Sequence, residues 1–405
     1  MPPVEMPLPA PIRPLPGSKP HSGSRTYTDT RTSPDSKTSL YKKTCPDSKK
    51  YSESNACSDR TLHSNPAFHT FAPAVTGSNT RAYLKIQDGC DAFCTYCIVP
   101  YARGRSTSMP MNEVIEHLEH LSTKGYKEAI LTGIHVGAYG LDLENDRFNP
   151  DEESSIIENN RVDLQTKPSL TDLLMKIEYL RPIHRVRLSS IEPKELTDQI
   201  ISLASRSHVK HTPVLCDHFH IPLQSGDDTI LKHMGRPYDC ALFADLVTRI
   251  HNDIPTAAIG VDILEGFPGE SDKAFENTLT LVEKLPVSYL HVFPFSPRKG
   301  TPAFDYPDKV DTKTVKKRCA ILRTLGTRKK KEFENSQMGL RLESVIQDST
   351  DTQTGKLIAV TSNYLSVIVE GDDGSNPHQK ELKRQIVHIE LTGRDKNNRL
   401  TGKIA

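Results

Sequence analysis

The chain has 405 residues, enough for two or three domains, and its 52 lysines and arginines nearly balance its 51 aspartates and glutamates. A net charge of +1 therefore does not by itself indicate a nucleic-acid partner, although local charge can. No run of 18 apolar residues is present and the N-terminus lacks the apolar core of a signal peptide, so we expect no membrane partner. The eight cysteines include a ligand-type cluster, which favours a reducing, cytoplasmic location over a disulfide scaffold.

Residues 1–78 are predicted to form a low-complexity, disordered segment. They are rich in proline, serine, threonine and lysine and show no helical or strand periodicity before Phe68. Such a composition cannot bury enough apolar surface to offset the loss of chain entropy. Cys45 and Cys57 lie in this segment, and we expect both to be solvated free thiols.

The stretch that organises the rest of the chain follows directly. An apolar run from Ala82 to Ile86 predicts a strand, and the next residues, Asp88 and Gly89, predict a turn. The loop after this turn carries three cysteines at a C-x3-C-x2-C spacing, namely Cys90, Cys94 and Cys97. Three thiolates leave one corner of a four-iron cubane without a protein ligand, whereas such clusters normally have four cysteines. The open corner predicts that a small molecule binds there.

Zinc binding and coincidence are the alternatives to an iron–sulfur cluster. This cysteine spacing arises by chance only about 0.003 times in a chain of this length and composition. Zinc usually takes four closed ligands, often as two C-x2-C pairs. Cys94 and Cys97 form one such pair and no second pair exists. The pattern therefore favours the cluster.

Strands and helices are predicted to alternate after the cysteine loop. Tyr101–Arg105 reads as a basic turn, and a helix starts near Pro110 and ends at Gly125. The strand Ala129–Thr132 then leads into the glycine-rich loop Gly133–Gly140. Glycines in such a loop either permit a turn or let the backbone approach a ligand.

The alternation continues to residue 292. Residues 144–167 are acidic and rich in asparagine, which predicts a surface insertion. The further strands are predicted at Val186–Ile191, His218–Ile221, Ala257–Leu264 and Ser288–Val292, and the further helices at Leu170–Leu180, Lys194–Ala204, Asp228–Met234, Ala241–Ile250 and Asp272–Leu285.

Six strands that alternate with helices predict an α/β fold of parallel βαβ units closing toward a barrel, a partial (β/α)6 barrel. In such folds the chemistry lies at the C-terminal ends of the strands. The polar and glycine-bearing loops all follow strands. We therefore expect one mouth to be lined by the cysteine loop, Gly133–Gly140, Glu192, Gln224–Gly226 and Gly266–Glu270.

A long basic helix and a β module complete the chain. The helix is predicted at Lys313–Lys331, and its many cations form either a solvated face or a nucleic-acid contact. Short strands are predicted at Leu342–Ile346, Leu357–Val360, Tyr364–Val369 and Ile386–Leu391. This pattern indicates a small all-β barrel, and such barrels often bind nucleic acid or oligosaccharide.

These motifs resemble a known family. Around Cys90–Cys97 the chain resembles the radical S-adenosylmethionine (SAM) superfamily, and residues 80–403 are similar to its tRNA methylthiotransferases. Within these, the resemblance is greatest to the branch that modifies threonylcarbamoyladenosine at position 37, on the 3′ side of the anticodon. The resemblance lies in Leu84–Gly104, Leu131–Gly140, Arg187–Pro193, His220–Gly226, Met234–Tyr238, Gly266–Glu270 and His291–Pro302.

The resemblance implies roles for individual residues. Cys90, Cys94 and Cys97 would ligate one [4Fe–4S] cluster, and SAM would bind its open iron. Tyr96 would lie near the adenine of SAM. Other contacts to SAM are expected from Gly133, Glu192, Gln224, Gly266 and Gly269. The C-terminal module resembles the TRAM domain, which implies binding of a tRNA anticodon loop, and the reaction implies an electron donor.

The sequence departs from this family in its N-terminal part. The family has an N-terminal domain with three more cysteines for a second [4Fe–4S] cluster that serves in sulfur insertion, and residues 1–78 offer only Cys45 and Cys57. Three explanations stay open: a methylthiotransferase whose missing half comes from a partner or from a different start, a truncated protein that cleaves SAM without inserting sulfur, and a tRNA-binding protein with vestigial catalysis. The predicted domains are 79–310 for the partial barrel, 311–339 for the basic helix and 340–405 for the TRAM-like module.

Overall fold

The computed structural model describes residues 79–143, 167–205, 212–371 and 379–405. The predicted disorder of residues 1–78 and nearly all of the predicted insertion at 144–167 lie outside these ranges. The strands are β1 Ala82–Lys85, β2 Gln87–Asp88, β3 Thr107–Ser108, β4 Glu128–Thr132, β5 Arg185–Leu188, β6 His218–Gln224, β7 Ala258–Glu265, β8 Tyr289–Pro294, β9 Arg341–Thr350, β10 Leu357–Thr361, β11 Ser366–Val369, β12 Ile386–Arg394 and β13 Leu400–Ile404. The helices are α1 Val99–Arg103, α2 Met111–Thr123, α3 Leu170–Leu180, α4 Asp198–Ala204, α5 Asp228–His233, α6 Cys240–Asp253, α7 Asp272–Lys284, α8 Thr312–Ser336 and α9 Gln379–Leu382.

The first half of the α/β region is a parallel sheet in the order β1-β4-β5. Its apolar side chains pack against α2 and α3. The spacing of Val114, Ile115, Leu118 and Leu121 places all four on one buried face of α2, as the sequence predicts. A capping box between Ser169 and Asp172 fixes the start of α3.

The second half is a parallel sheet in the order β6-β7-β8. A single parallel bridge between Val186 and Leu215 links it to the first half. The register shifts between Pro222 and Gln224, because proline cannot donate a ladder hydrogen bond. The six parallel strands confirm the predicted α/β class.

Two local predictions differ from the structure. The expected helix Lys194–Ala204 begins only at Asp198, because the Thr197 hydroxyl accepts from the backbone N–H of Ile200 and caps it there. The basic turn predicted at Tyr101–Arg105 is partly occupied by α1, whose carboxyl end is closed by Gly104 at a φ of 79°.

The C-terminal module is a closed five-stranded barrel in the order β10-β11-β13-β12-β9. Leu342, Ile346, Val367 and Leu391 belong to its apolar interior. The sequence predicted four of the strands and missed β13, a short strand that follows a turn rich in asparagine. The closed barrel confirms the predicted all-β module.

The basic helix α8 is not uniformly solvated, so neither of the two predicted roles, a solvated face or a nucleic-acid contact, applies to all of its cations. Lys329 is buried and its Nζ donates to the carbonyl oxygens of Glu283 at 2.6 Å and Leu285 at 2.8 Å. Arg318 is buried too and pairs with Asp272 at 2.8 Å. These two cations therefore hold α8 against α7 and against Leu285, which follows it.

A buried ionic cluster joins the two barrels, whose described residues belong to one compact unit. The carboxylate of Glu128 on β4 accepts from Arg185 Nε at 2.8 Å and from Arg187 Nε at 2.9 Å. The two guanidinium groups also donate to the small barrel. Arg185 reaches the carbonyl oxygen of Val360 at 3.0 Å, and Arg187 reaches that of Ser362 at 2.7 Å. Among the residues that the structure describes, no helix combines the length and apolarity of a membrane span.

Candidate iron–sulfur and cofactor site

The three predicted cysteines meet at one cavity of about 230 Å³ at the C-terminal end of β1. Gly89 begins the loop with a φ of 71°, and a Cβ there would lie 1.9 Å from the carbonyl oxygen of Arg105. Only glycine therefore fits this turn. The backbone N–H of Cys97 donates to the carbonyl oxygen of Cys94 at 3.0 Å, which curls the loop back on itself. None of the three thiols forms a disulfide.

Arg236 enters the cavity from the loop after α5. Its Nη1 donates to Cys94 Sγ at 3.3 Å, and its Nη2 forms a close ion pair with the carboxylate of Glu192. Its Nε donates to the hydroxyl of Tyr238 at 3.1 Å, and that hydroxyl donates to the carbonyl oxygen of Pro222 at 2.7 Å. The guanidinium is thus fixed beside a sulfur atom and supplies a positive charge there.

His135 supplies a second polar contact to the cysteine loop. Its Nδ1 lies 3.5 Å from Cys90 Sγ and its Nε2 lies 2.6 Å from Glu195 Oε1. Although burial lowers it, the hydrogen bonds to Cys90 and Glu195 raise the pKa of His135 to about 10. The backbone N–H of His135 donates to Gln87 Oε1 at 2.8 Å, which ties the glycine-rich loop to β2.

Tyr96 lines the same cavity and packs on the loop that follows β7. Its ring lies 6.3 Å from that of Phe267 in an edge-on arrangement. This loop turns at Gly266, where φ is 83° and a Cβ would lie 2.4 Å from Val315 Cγ2. The loop therefore packs against Tyr96 on one side and against α8 on the other.

The structure brings together most of the predicted site residues. The cavity is lined by Cys90, Cys94, Cys97, Tyr96, Glu192 and Gln224. Gly133 is not in this lining, and a Cβ there would lie 2.8 Å from Gln87 Oε1. Gly266 and Gly269 are outside the lining as described. Contact of any of these residues with SAM stays a prediction.

Sequence reasoning missed the cavity residues Arg236, Tyr238, His135 and Glu195. Arg236 and Tyr238 belong to a stretch that carried the family resemblance, Met234–Tyr238, but no role followed from it. His135 lies within the glycine-rich loop Gly133–Gly140, in which only the glycines were assigned a possible role. Glu195 gave no signal, because only the fold of the turn after Glu192 brings it to His135.

The residues present fit a three-cysteine [4Fe–4S] cluster. Three free thiols surround one cavity, and two basic side chains lie beside two of their sulfur atoms. Thiolate ligands carry negative charge, which these cations offset, and hydrogen bonds to sulfur tune such clusters. When bound, the cluster would supply the electron for reductive cleavage of SAM.

The other described cysteines lie elsewhere. Cys216 and Cys319 are buried, whereas Cys240 at the start of α6 is only half-buried. Burial raises the pKa of Cys216 to about 12, as expected for an inert structural thiol.

Comparison with known proteins bears on this geometry. Residues 84–282 match the Radical SAM superfamily. The chain is 35% identical over 303 residues to "Threonylcarbamoyladenosine tRNA methylthiotransferase MtaB" of Bacillus subtilis, covering 74% of this chain and 61% of that protein. It is 35% identical over 290 residues to the protein of the same name in Rickettsia prowazekii, covering 71% and 62%. It is also 34% identical over 300 residues to "tRNA-2-methylthio-N(6)-dimethylallyladenosine synthase" of Clostridium botulinum, covering 71% and 60%.

The chain thus spans about three fifths of the length of these curated relatives. The match to the Radical SAM superfamily runs from within β1 to within α7. It contains the cysteine loop and every residue that lines the cavity. The chain therefore carries a domain of the radical SAM superfamily.

Proposed function

We propose that the chain acts as a tRNA methylthiotransferase that converts N6-threonylcarbamoyladenosine at position 37 to its 2-methylthio derivative by radical SAM chemistry. The observation that carries the proposal is the meeting of Cys90, Cys94 and Cys97 at one cavity beside Arg236 and His135. The names of the relatives at 35% identity supply the substrate. The setting is cytoplasmic, and an electron donor is required.

The chain's own residues have separable tasks in this proposal. The three thiols hold the cluster, and Arg236 and His135 fix the orientation of two of them. Tyr96, Glu192 and Gln224 contact SAM from the cavity wall, while Gly133, Gly266 and Gly269 shape the loops around it. Residues 79–310 form the catalytic domain, and residues 311–339 and 340–405 form a basic helix and a TRAM-like module that hold the anticodon loop.

The relatives differ in the N6 substituent of the adenosine for which they are named. Two of them are named for a threonylcarbamoyl group and one for a dimethylallyl group, at nearly equal identity. The first group carries a carboxylate and the second is apolar. Paired RNA substrates that differ only in this group therefore test the branch directly.

A second candidate is SAM cleavage without sulfur transfer. It is favoured by the single cysteine triad within residues 79–143, 167–205, 212–371 and 379–405, since sulfur insertion in the family uses a second cluster. A partner that supplies the missing cluster would restore the first function. A tRNA-binding protein with vestigial catalysis is the remaining alternative.

The test is anaerobic reconstitution of the full chain with iron and sulfide, followed by three readouts. These are iron per chain, 5′-deoxyadenosine formed from SAM, and 2-methylthio nucleosides in anticodon hairpins that carry either N6 group. Cys94→Ala is the test variant, and Cys240→Ala is the matched control because its thiol lies outside the cavity.

The outcomes separate the candidates. About eight irons with methylthio product on the threonylcarbamoyl hairpin supports the proposal, and product only on the dimethylallyl hairpin moves the chain to the other branch. About four irons with SAM cleavage and no methylthio product supports the second candidate. If Cys94→Ala retains a full cluster and full SAM cleavage, the site itself is wrong.

A further inference from the structure

Three neighbouring strands of the second half-sheet each place a potential metal ligand on the same face. His220 is on β6, Asp262 on β7 and His291 on β8, and Asp262 is the direct register partner of His291. One ligand atom from each residue lies within 4.8 Å of the other two. None of the three lines the cysteine cavity, so the proposed function leaves them without a role.

Two of the three separations, those from Asp262 to each histidine, match the distances between ligands that share one ion. His220 Nε2 lies 2.9 Å from Asp262 Oδ1, and His291 Nδ1 lies 3.4 Å from the same oxygen. Ligands bonded at about 2.0–2.1 Å stand about 2.9 Å apart at a right angle and about 3.4 Å apart at a tetrahedral angle. Imidazole nitrogen with carboxylate oxygen is a donor set that suits zinc and neighbouring divalent transition metals.

Hydrogen bonding alone explains only part of this arrangement. The contact of 2.9 Å between His220 and Asp262 is an ordinary hydrogen bond. The distance of 3.4 Å from His291 exceeds the usual N–H···O range. A shared ion would satisfy all three groups at once.

The surrounding residues hold the two imidazole rings from one side. The ring of Tyr289 lies 6.0 Å from that of His220 and 5.3 Å from that of His291. The Tyr289 hydroxyl is fixed at 2.7 Å from His218 Nε2. Gly260 makes room for this tyrosine, because a Cβ there would lie 2.2 Å from its Cζ. The half-sheet therefore orients the rings before any ion arrives.

The cluster is open to solvent at His291. The side chain of His291 is 49% exposed, whereas those of His220 and Asp262 are 16% and 19% exposed. His291 also lines a cavity of about 560 Å³ together with Lys330 and Tyr364. An ion held by only three protein ligands would keep a further coordination position free, as in catalytic rather than structural zinc sites.

We propose that His220, Asp262 and His291 form a binding site for one divalent transition-metal ion, with zinc as the probe, whose open position takes water or an anionic oxygen ligand. The site is separate from the iron–sulfur cavity. Gln224, which lines that cavity, follows His220 by four residues on β6, a distance of about 13 Å along a strand.

The experiment measures zinc per chain on the full-length protein after equilibration with zinc and gel filtration, with a chromophoric chelator in competition. It is run on cluster-loaded protein and on a Cys90→Ala, Cys94→Ala, Cys97→Ala variant, because vacant thiols bind zinc. The second background makes the result independent of the proposed function. His291→Ala is the decisive variant, since its half-exposed side chain is replaceable without unfolding the sheet. His220→Ala and Asp262→Asn accompany it, and His117→Ala, at a partly buried histidine on α2, is the control.

We expect one zinc per chain in both backgrounds, with a Kd of about 1 µM or tighter. His117→Ala retains it, whereas His291→Ala, His220→Ala and Asp262→Asn each weaken binding at least about tenfold. The proposal is overturned if the background without Cys90, Cys94 and Cys97 binds no zinc at this concentration, or if His291→Ala binds it as tightly as its parent. Circular dichroism and thermal melting on each variant show whether a lost ion reflects a lost fold.

Discussion

The substitution Glu128→Gln tests whether the buried ionic cluster holds the two barrels together. Glu128 is fully buried between Arg185 and Arg187, which are also buried. Burial alone would raise the pKa of Glu128, but the two arginines lower it from 4.5 to about 2. That difference corresponds to about 3 kcal/mol of stability at neutral pH. Removing one partner of a buried ion pair costs a similar 3–5 kcal/mol, so we expect Glu128→Gln to lose about 3 kcal/mol.

The assay is urea unfolding at neutral pH, followed by far-ultraviolet circular dichroism. The matched control is Glu276→Gln, whose partner Lys273 is 3.3 Å away and exposed, and which we expect to cost less than about 0.5 kcal/mol. A loss below about 1 kcal/mol for Glu128→Gln would refute the reasoning, because it would mean that the two arginines find enough compensation in the carbonyl oxygens of the small barrel.

The pH dependence of the same group gives a check without mutation. The pKa of Glu128 is lower in the folded chain, so its contribution to stability is present above its unfolded pKa near 4.5. It is lost as the pH falls from about 4.5 through about 2. Acid unfolding of the wild type should therefore be steeper in this range than that of Glu128→Gln. Parallel acid-unfolding curves would contradict this assignment.

Three further predictions concern cations and carboxylates outside this cluster. Lys329→Ala should cost about 1–3 kcal/mol by leaving two carbonyl oxygens unsatisfied, yet leave RNA affinity of the folded protein unchanged. Replacing the exposed Lys330 and Lys331 together by alanine should leave stability unchanged but weaken RNA binding. It should also lower the salt slope of hairpin binding by about 1–2, as measured by fluorescence anisotropy. Burial and the neighbouring Glu270 raise the pKa of Glu265 to about 8, so stability should decline as the pH rises from about 4.5 through 8. Glu265→Gln should flatten that decline in melting curves, and an unchanged slope would assign it to another group.

The sequence predicted the parts of the fold that short-range patterns determine. Apolar spacing located α2 and α3, and the cysteine spacing located the loop that reaches the cavity. Contacts between residues that are far apart in the sequence leave no local pattern from which they could be predicted. Nothing local distinguishes the buried Lys329 from the exposed Lys330 beside it, because the difference depends on where α7 ends.

The same limit explains why the site was only half predicted. The cysteine loop follows β1, while Arg236 is 142 residues from Cys94 and reaches it only because β6 and α5 place its loop across the barrel mouth. Glu195 was missed because a turn, and not the predicted helix, follows Glu192. The side chains that neutralise a thiolate site can therefore be identified only from the tertiary structure, even when the spacing of the cysteines already identifies the ligands.

The position of the cysteine loop gives it a structural task as well as a chemical one. The two half-sheets share one parallel bridge, Val186 to Leu215, and few further backbone bonds. Thr95, between two of the cysteines, adds three bonds across the divide. Its backbone N–H donates to the carbonyl oxygen of Met234 at 3.0 Å, its hydroxyl donates to that of His233 at 2.8 Å, and its own carbonyl oxygen accepts from Ala303 at 2.8 Å.

The cavity therefore lies on the seam between the half-sheets, with the thiols on the loop of the first and Gln224 and Arg236 contributed by the second. Any group that binds only when both halves are in place stabilises the closed seam by its own binding free energy. Because the seam has few bonds of its own, cluster loading should protect the amides around Val186 and Leu215 from exchange as strongly as those of the cysteine loop itself.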